Sequence, residues 1–300
     1  MRITEGLVSR RMLADLQRAN AAQADAATRV ATGNRLLRPS DDPHGTMRAI
    51  RLRSELAATA QYRKNVDDAL GWAQATDSAL GSINDVLQRV RELVVQGGND
   101  AMSPKDRADM ANEIDQLISQ AKSAANASYA GQYIFAGAAT DTPPYQPDGP
   151  DAYAGTTDAV VRTIGPGVSV RLNPTGGAIL GDGTDGRTLQ VLRDIADHLR
   201  GGTPADANAL RTTDLAAIDD AMATINTARA ESGALTNRLT AAAGRLQDLE
   251  ASTEKARSDV EHVDLAEAIT VMSNQQAIYQ AALQAMGSNL TQRSLMDFLA

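Results

Sequence analysis

Apolar residues recur along this chain in steps of three and four, the spacing that returns side chains to one stripe of a helix. The last forty residues carry the cleanest run. Leu265, Ile269, Met272, Gln276, Tyr279, Leu283, Met286 and Leu290 fall at heptad steps, and Gln276 is the one polar member. So narrow a stripe has the form of a coiled-coil seam. It predicts a C-terminal helix that needs a partner in the same chain, in a neighbouring subunit, or in both.

From the N-terminus, the pattern predicts a helix over about residues 4–32, with Leu13, Leu16, Asn20, Gln23, Ala27 and Val30 on its seam. Half of that seam is polar or small, so the helix depends on packing. Asn20 and Gln23 suit the fixing of register and partner, at a cost in stability. Gly33-Asn34 reads as a stop. Asp42 as N-cap and Pro43 at the first helical position open a second helix that runs to about Gln96. Its seam is Val66, Ala69, Ala73, Thr76, Leu80, Ile83, Leu87, Val90 and Val94, with Trp72 beside it as a packing residue. At 1.5 Å per residue this helix spans roughly 80 Å. Ser103 and Pro104 open a third helix, with Met110, Ile114, Leu117, Ala121 and Ala124 as its seam.

The texture changes at Tyr129, after which Gly, Pro, Thr and Asp dominate to about Asp185. Tyr133–Gly137 reads as a short strand. Val160–Ile164 and Val168–Leu172, joined by Gly165-Pro166-Gly167, read as a hairpin. Helical spacing then returns up to Leu199 and again from Pro204 to about Asp259. Leu215, Ile218, Met222, Ile225, Leu239, Ala243 and Leu246 form the later stripe, and Arg229–Gly233 weakens its middle. The expected fold is mainly α: an elongated bundle of long coiled-coil-like N- and C-terminal helices with a small β-rich inserted domain. The expected parts are an N-terminal helical part of the rod over 1–140, a β-rich insert with a short helix over 141–203, and a C-terminal helical part over 204–300. The outer helices meet if the chain doubles back, and the insert then projects from the far end of the rod.

Composition supports long seams over a thick globular core. Only 3% of residues are aromatic, whereas compact enzymes of this size use large rings to fill their interior. There is no Cys, so disulfide and thiolate chemistry are excluded. The stretch Met1–Gly6 has no apolar signal core, so Sec export is not expected. The uncharged run Ser123–Thr140 is too polar for membrane insertion. The net charge of −8 is unevenly placed, with +6 over residues 1–64 and −4 over residues 259–300. Opposite charge at the two ends suits a pairing of the terminal helices; two solvated faces of no consequence are the alternative reading, since exposed pairs contribute only about 0–1 kcal/mol each. The basic end lacks interleaved aromatics and a compact basic run, so no nucleic acid is expected.

Two features imitate chemistry. Asp41, Asp42 and His44 lie close together, but His198 and His262 stand in unrelated contexts and no H-x-x-H is present. A capped turn explains the group better than a metal site. Gly181-Asp182-Gly183-Thr184-Asp185-Gly186 matches a dinucleotide-binding spacing, but such a loop needs a βαβ unit and a second strand bearing an acid. A flexible surface loop is the simpler reading. No catalytic, cofactor-binding or metal residue is assigned, and no cofactor is expected.

Taken in order, several stretches resemble the flagellin family. At the N-terminal end the run is Arg29-Val30-Ala31-Thr32-Gly33-Asn34-Arg35-Leu36-Leu37-Arg38-Pro39-Ser40-Asp41-Asp42-Pro43, with Thr32 where Ser is common. At the C-terminal end it is Asn237-Arg238-Leu239 and Asp264-Leu265-Ala266-Glu267-Ala268. Ala130–Gly137, followed by Thr140 and Pro143-Pro144-Tyr145, and the ending Ser294-Leu295-Met296-Asp297-Phe298-Leu299, are similar to the hook-associated, junction-forming branch of that family. Glu261-His262-Val263 departs from the family's more hydrophobic or acidic segment. The similarity covers about residues 1–140 and 204–300.

What the resemblance implies is a non-enzymatic structural part of the bacterial flagellum that joins hook to filament. The chain would leave the cytoplasm unfolded by type III export, with a cytosolic chaperone on its C-terminal helix. Outside, it would assemble with itself as a ring, between a hook-associated protein on the hook side and flagellin or a second junction protein on the filament side. The assembly residues expected from the seams are Leu13, Leu16, Asn20, Gln23, Ile269, Met272, Gln276, Tyr279, Leu283, Met286 and Leu290. Filament flagellin and a generic coiled-coil interaction module are the alternatives.

Overall fold

A computed structural model describes residues 2–147 and 149–298, without the side chains at 2–6, 8 and 289–298. The chain is mainly helical and divides into a terminal unit, Met1–Ala58 with Leu249–Ala300, and a middle unit, Thr59–Asp248. The helices are α1 (Arg2–Thr32), α2 (Pro43–Gly97), α3 (Pro104–Ala125), α4 (Gly176–Ile179), α5 (Thr188–Gly201), α6 (Pro204–Ala209), α7 (Leu215–Glu261) and α8 (Leu265–Phe298). A π-helical turn, Leu210–Asp214, joins α6 to α7. The strands are β1 (Ser128–Tyr129), β2 (Gln132–Tyr133), β3 (Val161–Gly165) and β4 (Val168–Arg171), in two antiparallel hairpins.

The ends of the first helices follow local chemistry. Gly33 takes φ +68, a left-handed turn that carries no Cβ penalty in glycine, and its amide closes on the Arg29 carbonyl at 2.9 Å. Asp42 Oδ1 accepts the Gly45 amide at 2.8 Å as the N-cap of α2. The carboxylate of Asp41 accepts the Arg38 amide at 3.1 Å, so both acids serve the turn. Ser103 Oγ caps α3 by accepting the Asp106 amide at 3.2 Å. The buried Arg107 then reaches back to the end of α2, donating to the Gly97 carbonyl at 3.1 Å and the Asn99 carbonyl at 3.0 Å. A cation there answers both the unpaired carbonyls and the negative end of the helix dipole.

In the middle unit the whole α2 seam from Val66 to Val94 is buried, Thr76 included, and Trp72 packs edge-on against Tyr129 with ring centroids 6.3 Å apart. The seam predicted for α3 is shifted. Met110, Ile114, Ile118, Ala121 and Ala125 are buried, and Leu117 and Ala124 sit at the margin. α3 lies against both α2 and α5 and so buries a broader face than a two-helix seam would. α7 runs antiparallel to α2. Arg229 pairs with Asp77 at 3.2 Å, Arg91 with Asp219 at 2.7 Å, and Ser232 Oγ donates to the Ala73 carbonyl at 3.2 Å. The weakening expected at Arg229–Gly233 is absent, because Ala228 and Ser232 carry the buried stripe from Ile225 on to Leu239. Gly233 costs about 1 kcal/mol of helix propensity, which packing on either side offsets.

The segment between α3 and α5 shares this core. Ile164, Val170, Leu172, Ile179 and Leu180 belong to one apolar cluster with Leu80, Ile114 and Ile218. The hairpin turns at Gly165-Pro166-Gly167 as expected, with a register shift between Thr163 and Gly165. The strand expected over Tyr133–Gly137 shortens to Gln132–Tyr133. Ile134, Phe135 and Ala136 are buried on neighbouring positions instead of alternating, which a half-covered strand cannot do.

Polar anchors hold the segment down. Lys122 Nζ donates to the Gly149 carbonyl at 2.8 Å and to Asp151 Oδ1 at 2.9 Å, and Arg193 Nε donates to Asp151 Oδ2 at 2.8 Å. Burial raises the Asp151 carboxyl, but the bonds from Arg193 and Lys122 outweigh it and hold the group below the usual carboxylate range. Tyr145, whose hydroxyl pKa is raised mainly by burial, donates to the Gly181 carbonyl at 2.7 Å. That bond fixes the entry of the Gly181–Gly186 loop, and Asp182 Oδ1 is occupied by the Thr184 amide and hydroxyl, both at 2.9 Å. Both described hairpins are antiparallel, so this loop stands outside any βαβ unit among the described residues.

Candidate assembly surface

In the terminal unit the end of α1 and the start of α8 are joined by backbone. Asn34 and His262 form an antiparallel bridge, the Arg35 amide donates to the Glu261 carbonyl at 2.7 Å, and the Val263 amide donates to the Gly33 carbonyl at 3.0 Å. The Arg35 guanidinium adds bonds to the Val260 carbonyl at 3.2 and 3.0 Å. The Glu261 carboxylate is buried between Arg257, at 2.6 Å, and Arg53, at 2.7 Å. Arg257 is held protonated well above the ordinary guanidinium range, chiefly by its hydrogen bond to Glu254 and further by Glu261. This joint sets α1 and α8 side by side and antiparallel, and the two helices pack on each other.

The covered positions of the pair are Met12, Leu16, Ala19, Gln23, Ala26 and Val30 on α1, and Ala268, Met272, Gln275, Tyr279, Ala282 and Met286 on α8. Both sets step by four and three, the a and d positions of a coiled coil. The seam expected on α8 is therefore half right. Met272, Tyr279 and Met286 lie in it, while Leu265, Ile269, Gln276 and Leu283 are exposed. On α1, Leu16 and Gln23 are half-buried in the seam, and Leu13 and Asn20 face solvent. The side chain of Leu290 lies outside the described residues.

Flanking positions of an antiparallel pair lie beside their counterparts on the same side. Leu13, Asn20 and Ala27 of α1 therefore share one flank with Ile269, Gln276 and Leu283 of α8, and all six are exposed. The opposite flank of α8 exposes Val271 and Ile278, which the heptad reading of one seam passed over. The signal for both flanks is present in the sequence. No Asp, Glu, Lys or Arg occurs from Ala268 to Gln292, an uncharged run longer than Ser123–Thr140. A helix with solvent on most of its circumference ordinarily carries charge there.

Burial in the terminal unit is thin. Among the described residues its buried apolar side chains are Ala26, Ala49, Val260 and Ala268, whereas the middle unit buries Trp72, Tyr145, Phe135 and many Leu and Ile. Of the 13 large apolar side chains found exposed among the described residues, ten belong to the terminal unit. Exposed apolar side chains concentrated in this way mark a candidate interaction surface. Among the described residues no group of three or more His, Cys, Asp or Glu is placed to hold a metal ion, and no helix is long and apolar enough to cross a membrane.

The terminal unit thus presents an antiparallel pairing of the two chain ends with apolar flanks left open. Residues 3–140 match the bacterial flagellin N-terminal helical region and residues 215–299 match the bacterial flagellin C-terminal helical region. The chain belongs to the flagellin family, and it is a structural component of the flagellum and not an enzyme.

Within the family it is similar to flagellar hook-associated protein 3 of Escherichia coli, at 28% identity over 85% of this chain and 86% of that protein. It is also similar to the flagellin of Bacillus subtilis, at 26% identity over 98% of this chain and 97% of that protein. Among solved structures, a Vibrio parahaemolyticus protein described as flagellar hook-associated superposes with a TM-score of 0.67 at 26% identity, covering 74% of this chain and all of that one.

Proposed function

We propose that this protein joins hook to filament in the bacterial flagellum, assembling with copies of itself through its terminal unit. The observation that carries this reading is the concentration of exposed large apolar side chains on α1, α8 and the adjoining ends of α2 and α7. Burying one such side chain contributes about 1.5–3 kcal/mol, so the monomer leaves a large favourable term unused. The α1–α8 coil has apolar residues on two flanks, and two different faces build ring or helical arrays in preference to closed dimers. Leu13, Asn20, Ile269, Gln276 and Leu283 are the contacts between copies. Leu16, Gln23, Met272, Tyr279 and Met286 hold the coil that presents them. The N- and C-terminal helical parts carry assembly, and the region over 141–203 elaborates the middle of the chain.

The remaining steps are those that the family resemblance implies. The chain travels unfolded through type III export, with a cytosolic chaperone covering the apolar C-terminal helix until it leaves the cytoplasm. At the tip of the hook it meets a hook-associated protein on one side and flagellin, or a second junction protein, on the other. The similarity to hook-associated proteins of Escherichia coli and Salmonella typhimurium supports the junction. The match to Bacillus subtilis flagellin over nearly the full length supports the rival reading of a filament subunit.

Immuno-electron microscopy of detached flagella separates these readings. Label in one narrow band where hook meets filament is the expected result. Label along the filament makes the protein a flagellin. Protein retained in cells, with bare flagella, overturns both.

A further inference from the structure

We infer that Asn20 and Gln276 set the axial register in which a second copy of this chain docks against the exposed flank of the α1–α8 coil. This inference rests on the assembly reading above and adds a role for two residues within it. Counted outward from the joint, the flank reads Ala27, Asn20, Leu13 on α1 and Ile269, Gln276, Leu283 on α8, so an amide stands second in both rows. In the covered seam of the same coil, Gln23 and Gln275 take the third place in both sets. The four amides thus form one polar layer at one level of an otherwise apolar coil. An apolar flank alone gains nearly as much energy one heptad out of register as in register. A buried amide that misses its partner is costly, and this is how a single polar layer fixes register in coiled coils.

The occupant is a second copy for reasons of pattern and charge. The flank presents matching rows on its two helices, with an amide between apolar groups on each, so a second copy brings a complementary surface. Charge adds direction. α8 is uncharged from Ala268 to Gln292 with Glu267 before it, whereas α1 carries five arginines against Glu5, Asp15 and Asp25, with Arg18 paired to Asp15 at 2.6 Å and Arg10 and Arg11 beside Leu13. Placing α8 of one copy beside α1 of the next avoids opposing like charges.

The test uses full-length chains carrying a photo-reactive phenylalanine analogue in place of Leu283. Chains labelled with heavy nitrogen are co-assembled with unlabelled ones, and only cross-links between heavy and light chains are mapped. With the native amides, the cross-links fall within one heptad of α1. In Asn20→Leu with Gln276→Leu, they spread over adjoining heptads while the chain assembles as well or better. The exchange Asn20→Gln with Gln276→Asn restores the single site. Both amides are exposed in the free chain, and circular dichroism checks that each variant keeps its helices. A single unchanged site in the double Leu variant overturns the register role and leaves assembly standing. Assembled material with no cross-link from this flank between copies overturns the assembly surface itself.

Discussion

Lys122 and Asp151 form an ion pair, 2.9 Å from Nζ to Oδ1, around a lysine side chain that is 1% exposed. The pair ties the loop near Gly149 to α3, and Arg193 of α5 completes it from the other side. Removing Lys122 leaves the Asp151 carboxylate, which is 12% exposed, with Arg193 as its remaining cation.

Lys122→Ala is expected to lower the stability of the middle unit by about 1–3 kcal/mol, the cost of losing a bond to a charged group, because Arg193 still pairs with Asp151. Lys122→Met combined with Asp151→Leu should cost less, since the two buried charges go together and the part-exposed Arg193 keeps Asp115 at 3.1 Å. Urea denaturation followed by circular dichroism measures both. Equal losses in the two variants would show that the cost comes from packing and not from charge.

The same carboxyl gives a pH dependence. Asp151 has a folded pKa below its unfolded value of about 3.9. Its stabilising contribution is therefore present above about pH 4 and is lost as pH falls through the folded pKa. The melting temperature should drop on acidification below that point. Asp151→Asn, less stable at neutral pH, should show a shallower drop over the same range. A parallel acid limb in the variant would assign the effect to other carboxylates.

Leu283→Asp should separate folding from assembly. Leu283 is 43% exposed in the single chain, so its substitution should change monomer stability by no more than about 0.5 kcal/mol. Between copies the same charge is buried without a partner, at a cost of several kcal/mol. The expected outcome is a normally folded, secreted protein that fails to assemble and leaves cells non-motile. Wild-type motility would remove the terminal coil from the mechanism.

Glu261→Ala should open the joint. It strips the buried carboxylate from between the part-buried Arg257 and the exposed Arg53, and both guanidinium groups lose that partner. The expected cost is about 1–3 kcal/mol. Amide hydrogen exchange at Arg35 and Val263 should quicken, because those amides carry the backbone bonds between α1 and α8. Exchange unchanged at both positions would show that the backbone bridge holds without the carboxylate.

Much of the fold could be read from the sequence because local chemistry decided it. The α2 seam from Val66 to Val94, the caps at Asp42 and Ser103, the stop at Gly33 and the hairpin at Gly165-Pro166-Gly167 all depend on residues close together in the chain. The readings that failed depended on distant partners. The α7 helix persists through Gly233 because Ser232 and its neighbours pack against α2. The stretch Tyr133–Gly137 gives up most of its strand because Ile134, Phe135 and Ala136 are all drawn into one core.

For the terminal coil, periodicity alone established that α1 and α8 are helices with a seam that needs a partner. It did not establish which stripe is covered. Met272, Tyr279 and Met286 fit two adjacent stripes, one continued by Ala268, Gln275 and Ala282 and the other by Ile269, Gln276 and Leu283. The larger side chains made the second stripe look like the seam. The antiparallel joint at Asn34–His262 decides for the first, because it fixes the direction and level at which α1 meets α8. Small residues face inward where two helices approach, and the larger Ile269 and Leu283 remain on the outside.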